Sequence, residues 1–325
     1  MVKKVLLPTL FFVAMLLSAL AYADWEVYVH NMTTENLNFI DTYSIWMVGD
    51  NGVVLEFEPM FGELYSISLP TSEDLYGVSI YADTIVGTNG TIYDCFHSQF
   101  LDSPTTENLY SVCDEPWFIV GANGTILYDA DAPSPHWQPY EPSPTTKDLY
   151  SVHGSYLCNY TCAVGADGTI LECEGGVWSL YPSSPTSEDL YGVYVDHTGI
   201  AWACGAHGTI LRYDGSSWNV VPDVPTSNDL HSIWGGDELV CVGAQGTILH
   251  SSDDGLSWVL DDCPVTVDLN GVAFTGQYGW IVGDEGTILS SWFHSSIQPE
   301  SVGRLKALYS SEGNSGGDSL KSYNK

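Results

Sequence analysis

A residue that can bind a cation recurs seven times in this chain, each time directly before a leucine. Each of these residues is an aspartate or an asparagine, and the oxygen atoms of carboxylates and amides are the ligands that calcium takes in proteins. If the repeats close into a ring, we expect these side chains to surround one mouth of a central channel and to bind a cation or a basic peptide there. They are Asn36, Asp74, Asn108, Asp148, Asp189, Asp229 and Asp268.

The alternative role for this set is structural. An Asp or Asn side chain that precedes a strand often accepts a hydrogen bond from the backbone of its own turn. Functional sites usually break the symmetry of a repeat, whereas a cap recurs in every copy. The regular recurrence therefore favours capping over ligand binding.

No set of residues marks a catalytic site. Holding a substrate carboxylate between several arginines needs more than Arg212 and Arg304, the only arginines in the chain. The 41 acidic residues offer too many carboxylate pairs to single one out for glycoside hydrolysis. The histidines form no His-Glu-x-x-His pair, and the cysteines form no Cys-x-x-Cys pairs of a zinc site. We therefore expect a protein that is not an enzyme, with no cofactor apart from calcium at the ring.

One short phrase, Gly-x-x-Gly followed by Thr or Val and two apolar residues, occurs seven times and predicts the architecture. The steps between successive second glycines are 38, 34, 44, 40, 38 and 40 residues. A period near 40 residues that is built from short strands is typical of a β-propeller blade. The second glycines are Gly52, Gly90, Gly124, Gly168, Gly208, Gly246 and Gly286.

Residues 186–226 show how one repeat forms a blade. Short runs of β-prone residues alternate with turn residues, which predicts four antiparallel strands. The predicted strands are Leu190–Val193, Ala201–Cys204, Thr209–Tyr213 and Trp218–Val221. The residue before each second glycine is mostly Asn or Asp, and both of these positions tolerate a positive φ in a tight turn. A phosphate-binding loop would lead into a helix, whereas every copy here leads into a strand.

The two ends of the chain predict how the ring closes. Trp25–Val29 has the spacing of an outermost strand but has no blade of its own, and Thr287–Ser291 is a third strand that lacks a fourth. We expect the first segment to complete the last blade, because this removes a free sheet edge. The predicted fold is an all-β, seven-bladed β-propeller of four-stranded antiparallel blades, closed by an N-terminal outer strand.

The chain divides into three parts. Residues 1–23 combine two lysines, an apolar stretch and Ala21-Tyr22-Ala23, which predicts a secretory signal peptide. Residues 24–294 form the propeller. Residues 295–325 contain a Gly- and Ser-rich stretch, which predicts a flexible tail. We expect a secreted protein, periplasmic or extracellular, with no membrane span after cleavage of the signal.

The charge of the propeller is strongly negative. The chain has a formal net charge of −33, and residues 24–294 hold 38 acidic residues against two basic ones, Lys147 and Arg212, so the body carries 2 − 38 = −36. Such a surface repels nucleic acid and anionic lipid. The first interpretation of this charge is that it keeps the protein soluble, and the second is that it attracts cations or basic partners. We expect a monomer.

Eight cysteines in a chain predicted to be exported indicate disulfide bonds. Cys162 and Cys173 flank one hairpin turn, so they could face each other on paired strands. Cys204 and Cys241 precede their turns in consecutive repeats. The pairing does not follow from the sequence.

A second motif identifies a structural hairpin. Ser251, Asp253, Gly255 and Trp258 match Ser-x-Asp-x-Gly-x-x-Trp, the Asp-box. With the Gly-x-x-Gly-Thr-Ile-Leu copies and preceding strands such as Trp280–Gly283, the chain resembles the photosystem II stability/assembly-factor type of propeller, within the broader BNR/Asp-box repeat group. This resemblance covers nearly all of residues 24–292. It implies seven blades, a structural role for the box away from any active site, and a non-enzymatic protein that docks a protein partner.

Two functions from different classes follow from the sequence. The first is an exported, non-enzymatic propeller that binds a protein partner as a docking or assembly scaffold. The alternative is a carbohydrate-binding or carbohydrate-active propeller, a lectin or a glycosidase-like protein. That alternative predicts a carboxylate pair or an aromatic platform in the channel mouth. A calcium-stabilised structural module is a third possibility.

Overall fold

Apolar runs separated by glycine-marked turns form the strands of this chain, and a computed structural model describes residues 25–28, 32–41, 45–58, 63–79, 82–113, 117–129, 136–155, 157–235, 238–275 and 278–292. The predicted signal peptide and tail lie outside these residues. The strands are β1 (Glu26–Val27), β2 (Leu37–Ile40), β3 (Trp46–Gly49), β4 (Val53–Glu58), β5 (Glu63–Ser68), β6 (Leu75–Ser79), β7 (Thr84–Gly87), β8 (Ile92–Asp94), β9 (Gln99–Phe100), β10 (Leu109–Cys113), β11 (Phe118–Gly121), β12 (Ile126–Asp129), β13 (Trp137–Pro139), β14 (Leu149–Ser155), β15 (Tyr160–Gly165), β16 (Ile170–Glu174), β17 (Val177–Leu180), β18 (Leu190–Val195), β19 (Ala201–Gly205), β20 (Ile210–Tyr213), β21 (Trp218–Val220), β22 (Leu230–Gly235), β23 (Leu239–Gly243), β24 (Thr247–Ser251), β25 (Val259–Leu260), β26 (Leu269–Thr275), β27 (Tyr278–Gly283) and β28 (Ile288–Trp292).

The strands form seven antiparallel sheets of four, so the predicted seven-bladed propeller is confirmed. Blade 1 is β2–β5, blade 2 is β6–β9, and each later blade takes the next four strands up to blade 6, which is β22–β25. No described segment is a helix of the length and apolarity needed to cross a bilayer.

Blade 7 is completed by the N-terminal strand, as predicted. Its order is β1-β28-β27-β26, and Glu26 pairs with Ser290 while Val27 pairs with Leu289. The Tyr28 N–H donates to the carbonyl of Ile288 over 2.8 Å. Trp25, directly before β1, is buried. The sheet that carries β28 thus ends in a strand from the other end of the described chain.

The core lies in layers between neighbouring blades. Inner strands are covered on both faces, and for this reason they are continuously apolar rather than alternating. In β19 every residue is buried. One such layer joins blades 5 and 6 and contains Cys204, Leu230, Cys241 and Trp258. Each blade is therefore stabilised mainly by the apolar surface that it buries against its two neighbours.

Each Gly-x-x-Gly phrase forms a 3₁₀ turn at one end of its blade, between the second and third strands. These turns are Asp50–Gly52, Thr88–Gly90, Ala122–Gly124, Ala166–Gly168, Ala206–Gly208, Ala244–Gly246 and Asp284–Gly286. The residue before the second glycine has a φ of 52–56°, and the second glycine has a φ of 67–74°. The first glycine is extended, yet a Cβ at Gly205 would overlap the carbonyl oxygen of Asp189. Glycine is therefore needed at this position because another backbone segment passes too close for a Cβ, and not because the turn demands a positive φ.

Cys162 and Cys173, which the sequence allowed to face each other on paired strands, do not do so. In the β15–β16 register, Cys162 lies opposite Glu172, and Cys173 lies opposite Thr161. The two sulfurs point to opposite faces of blade 4, because neighbouring positions of a strand alternate. No disulfide bond joins any of the eight cysteines in this structure. Cys204 and Cys241 share a buried layer, and burial together with a side-chain hydrogen bond between the two thiols raises the pKa of Cys241.

Candidate functional site

The seven Asp and Asn side chains identified from the sequence stand together at one end of the ring, and we call them the rim. Each one directly precedes the innermost strand of its blade, on the face that also carries the 3₁₀ turns. All seven are partly buried. The rim consists of Asn36, Asp74, Asn108, Asp148, Asp189, Asp229 and Asp268.

Every rim side chain accepts a hydrogen bond from a turn of the preceding blade rather than from its own turn. For example, Asp229 Oδ1 accepts from the His207 N–H over 2.8 Å. The seven N···Oδ1 distances are 2.8–3.2 Å. The last of them, from the Glu285 N–H to Asn36, joins blade 7 to blade 1. The rim therefore connects the blades in a ring, with one oxygen of each side chain used for that purpose.

A β-bulge in every blade directs a second set of side chains into the channel, one residue beyond the inner-strand leucine. In blade 2, Leu75 pairs with Gly87 and Gly77 pairs with Val86, so Tyr76 is the extra residue. The same shift occurs in the other six blades. Bulges re-aim side chains in this way beside functional sites. The seven residues all line the central cavity, and they are Asn38, Tyr76, Tyr110, Tyr150, Tyr191, His231 and Asn270.

Four of these bulge residues form a continuous row of aromatic rings, the tyrosine arc, made of Tyr76, Tyr110, Tyr150 and Tyr191. Successive ring centroids are 5.6, 5.8 and 5.6 Å apart, and the planes are tilted by 46–53°. His231 extends the row, with its ring 6.0 Å from that of Tyr191. The arc spans blades 2 to 5, His231 belongs to blade 6, and the arc presents partly exposed ring faces to the channel mouth.

Blades 1 and 7 complete the mouth with a polar sector, which consists of Asn38, Asp50, Asn270 and Asp284. The Asn38 side chain donates to Asp50 over 2.8 Å and to the Leu75 carbonyl over 3.0 Å. The Asn270 side chain does the same with Asp284 and the Leu37 carbonyl, over 2.9 and 3.1 Å. In blades 2 to 6 the position of Asp50 is held by Thr or Ala. The symmetry of the repeat is thus broken at the mouth, where aromatic rings face amides and carboxylates.

The carboxylates act on the arc through their charge. Burial, and then the charges of Asp189 and Asp148, raise the pKa of Tyr150 to about 12. Burial raises the pKa of Tyr76 as well, with contributions from Asp74 and Asp50. The phenols therefore stay neutral hydrogen-bond donors and acceptors at neutral pH. Because rim and polar sector both act on these rings, the mouth is a region of negative potential.

Below the arc, the channel encloses a cavity of about 340 Å³. His153 and Trp234 line it further down, with ring centroids 5.3 Å apart. The Val195 N–H donates to Nδ1 of His153 over 3.1 Å, and burial lowers the pKa of His153 to about 4. This imidazole is therefore neutral at neutral pH, so it adds no positive charge to the channel.

Basic groups are scarce around this face. Lys147 and Arg212 are the two Lys or Arg side chains in the described part of the chain. Lys147 is engaged by an ion pair with Asp167 on the neighbouring turn. Arg212 lies over the ring of Trp202 and donates to the Asp254 carbonyl, in the hairpin region at the opposite ends of the strands. Lys147 is also close enough to rim residue Asp189 for that carboxylate to raise its pKa, so this one cation offsets only part of the charge of the mouth.

The Asp-box forms the hairpin between β24 and β25, away from the mouth. Ser251 Oγ donates to Asp253 over 2.9 Å and accepts from the Gly255 N–H over 3.0 Å. Hydrogen bonds from Ser257 lower the pKa of Asp253, and Trp258 is buried between blades 5 and 6. These contacts all lie within the hairpin and its core, and the structural role of the box stays a prediction.

The described residues contain no group of three His, Cys, Asp or Glu side chains arranged to hold a metal ion. Calcium at the rim stays a prediction. Reasoning from the sequence selected the residue before each inner-strand leucine and missed the one after it. The signal that was available is the series Asn, Tyr, Tyr, Tyr, Tyr, His and Asn at that position.

Comparison with known proteins gives matches among solved structures only, since no family model and no curated protein matches the chain. A structure of YCF48, a photosystem II assembly factor, bound to a D1 peptide is 20% identical with a TM-score of 0.66, covering 84% of this chain and 96% of that one. Virginiamycin B lyase from Staphylococcus aureus, catalytically inactive and with quinupristin, is 12% identical with a TM-score of 0.71, covering 84% and 100%. The WD40 repeats of RRP9 are 8% identical with a TM-score of 0.64, covering 83% and 98%.

These similarities establish the propeller fold and nothing finer. Identities of 8–20% leave activity and ligand open. The YCF48 match agrees with the resemblance seen in the repeat phrases, at the level of the fold. The lyase match shows that a chain of this shape can also belong to an enzyme.

Proposed function

We propose that this chain is an exported, non-enzymatic β-propeller that binds a protein partner, as a docking or assembly scaffold, at the face that carries the rim and the tyrosine arc. The observation that supports this function is the arc itself, a row of partly exposed rings around an open mouth. Tyrosine is enriched at protein interfaces because it combines a large apolar ring with a polar hydroxyl. Export rests on the pattern of residues 1–23.

The comparisons support a protein partner by analogy of fold. The YCF48 propeller is bound to a D1 peptide. The present chain differs in charge, since its mouth is surrounded by carboxylates. We therefore infer a partner whose contacting surface is basic, because opposite potentials steer association and like charges oppose it.

A photo-cross-linking experiment tests this function. A benzophenone side chain replaces exposed Ser187, two residues before rim residue Asp189, and in a matched variant it replaces exposed Ser216, on a hairpin at the opposite ends of the strands. The purified chain is exposed to the exported fraction of its source cells and irradiated. We expect one protein to be captured through Ser187 and not through Ser216. Equal capture from both positions, or none from either, would contradict docking at this face.

The carbohydrate-binding alternative also has an observation in its favour, because it predicted aromatic side chains in the channel mouth. Sugars stack on a single open ring face, whereas neighbouring rings of the arc are tilted by about 50°, so the arc forms a curved wall rather than a flat platform. A glycan array with a hydrolysis readout separates the two functions. Binding or cleavage of a sugar would replace the docking proposal, and we expect neither.

A further inference from the structure

The channel mouth differs from every other part of the repeat because its two sides have different chemistry. Blades 2 to 6 supply the tyrosine arc and His231, while blades 1 and 7 supply the polar sector. A feature that only held the ring together would recur seven times, as the rim hydrogen bonds do. The broken symmetry therefore points to a ligand that contacts both sectors.

Both sectors favour a positive group. The face of a phenol ring attracts cations through its quadrupole, most strongly where water is excluded. The carboxylates of Asp50 and Asp284 approach from the polar sector, and the rim adds further negative charge. An anion would be repelled by all of these groups, and Lys147 is already paired with Asp167. Charge complementarity thus selects a cation.

The shape of the arc favours a planar cation over a compact one. Guanidinium stacks flat on an aromatic ring and still donates in its own plane to carboxylates, whereas ammonium is a strongly hydrated point charge. The cavity of about 340 Å³ below the mouth lies at the small end of the range for ligand sites, about 300–1,000 Å³. It admits one side chain rather than a folded domain.

We propose that the tyrosine arc and the polar sector together bind the guanidinium group of an arginine side chain that the protein partner inserts into the channel mouth. This inference rests on the proposed docking function and adds the chemistry of the group that is recognised. The guanidinium stacks on the ring of Tyr150, in the middle of the arc, and the ring of Tyr110, tilted by 53° from it, contacts the side of the group. Asp50 and Asp284 attract it from the opposite sector.

The test uses a blocked Gly-Arg-Gly peptide and the same peptide with citrulline in place of arginine. Citrulline keeps the length and the planar end group but has no charge. Titration of the chain from residue 24 onward, followed by NMR, gives both affinities at low salt. We expect the arginine peptide to bind at least about ten-fold more tightly. Equal affinities for the two peptides would overturn the proposal.

Variants of the arc locate the binding. Tyr150→Leu should weaken arginine binding about five-fold, while Tyr150→Phe, which keeps the ring, should stay within about two-fold. Tyr65→Leu is the matched control, because Tyr65 is exposed on β5, the outermost strand of blade 1. Unchanged binding in Tyr150→Leu, or an equal loss in Tyr65→Leu, would refute the assignment to the arc.

A second pair of variants keeps the proposal testable if Tyr150→Leu does not fold. Asp148→Asn and Asp189→Asn remove charge beside Tyr150 but keep the oxygen that caps the preceding blade, as Asn108 does naturally. Together they should weaken arginine binding about three-fold and make it less dependent on salt. An unchanged affinity and salt dependence would count against a cation at the mouth.

The outcomes separate this inference from the docking function. Capture of a partner through Ser187 without preference for the arginine peptide would leave docking intact and reject the guanidinium site. Binding of the arginine peptide at the arc without capture of any protein would support the site and reject docking.

Discussion

The rim hydrogen bonds predict that these seven side chains stabilise the ring by joining neighbouring blades, and substitutions at Asp229 test this. In Asp229→Ala the His207 N–H loses the carboxylate oxygen that accepts it over 2.8 Å. In Asp229→Asn the acceptor stays, as it does at Asn36 and Asn108 in the natural chain. Both variants remove one negative charge from a body that carries many, so both relieve the same repulsion.

The difference between the two variants therefore isolates the hydrogen bond. A capping or turn hydrogen bond to an Asp side chain contributes about 1 kcal/mol to the free energy of unfolding. We expect Asp229→Ala to be about 1 kcal/mol less stable than Asp229→Asn. For a propeller of this size, that difference corresponds to a lowering of Tm by about 2–4 °C.

Urea unfolding with a common m value measures the free energy of unfolding for both proteins. A matching pair at Asp74, which caps the Asn51 N–H over 3.0 Å between blades 1 and 2, extends the test. The two sites share no partner, so the double Ala variant should lose about 2 kcal/mol relative to the double Asn variant. Equal stability of the Ala and Asn variants at both sites would refute the interblade capping role.

Three further outcomes follow from the packing. Gly205→Ala should lower the free energy of unfolding in urea by about 3–5 kcal/mol, because its Cβ would overlap the Asp189 carbonyl oxygen and break the hydrogen bond which that oxygen accepts from the Ala206 N–H. Gly175→Ala, with open space around its Cβ, should cost only about 1 kcal/mol. Similar losses at both positions would contradict this steric argument. Trp25→Ala should lower the unfolding free energy by about 3–5 kcal/mol, because it removes a buried indole directly before β1, the strand that closes the ring, and a loss below about 1 kcal/mol would contradict a stabilising role for this residue. Burial lowers the pKa of His153 to about 4 in the folded protein, below the value of about 6.5 in the unfolded chain, so the free energy of unfolding falls as the pH is lowered from about 6.5 toward 4. Parallel urea curves should show wild type losing about 1–2 kcal/mol more than His153→Gln by about pH 5. Superimposable pH profiles of the two proteins would contradict this reasoning.

Much of the fold follows from local sequence signals. The 40-residue period and the paired glycines predict the number of blades and the position of each turn, because a tight turn between strands requires residues that tolerate positive φ. The position of Trp25 relative to the first inner-strand leucine predicts closure by the N-terminal strand. These features depend on the local backbone preferences of turn residues and on the spacing of the repeats, and both can be read from a single sequence.

The site was less accessible to the same reasoning. The rim was found because its residues recur beside an obvious leucine, but the partner of each side chain lies in the preceding blade, 19–25 residues earlier in six of the seven cases. The tyrosine arc was missed because alternation along a strand does not tell which residue a bulge inserts. One extra residue changes the face on which a side chain lies.

The sequence by itself determined a ring of seven four-stranded blades, the turns and the N-terminal closure, since all of these follow from the spacing of glycine, leucine and tryptophan along the chain. Tertiary structure alone decided that Cys162 and Cys173 face different layers, that the first glycine of each phrase is needed for backbone approach, and that four tyrosines meet at one mouth. The physical reason is that side-chain direction depends on strand register and on the neighbouring blade, and both are set only when the sheets pack.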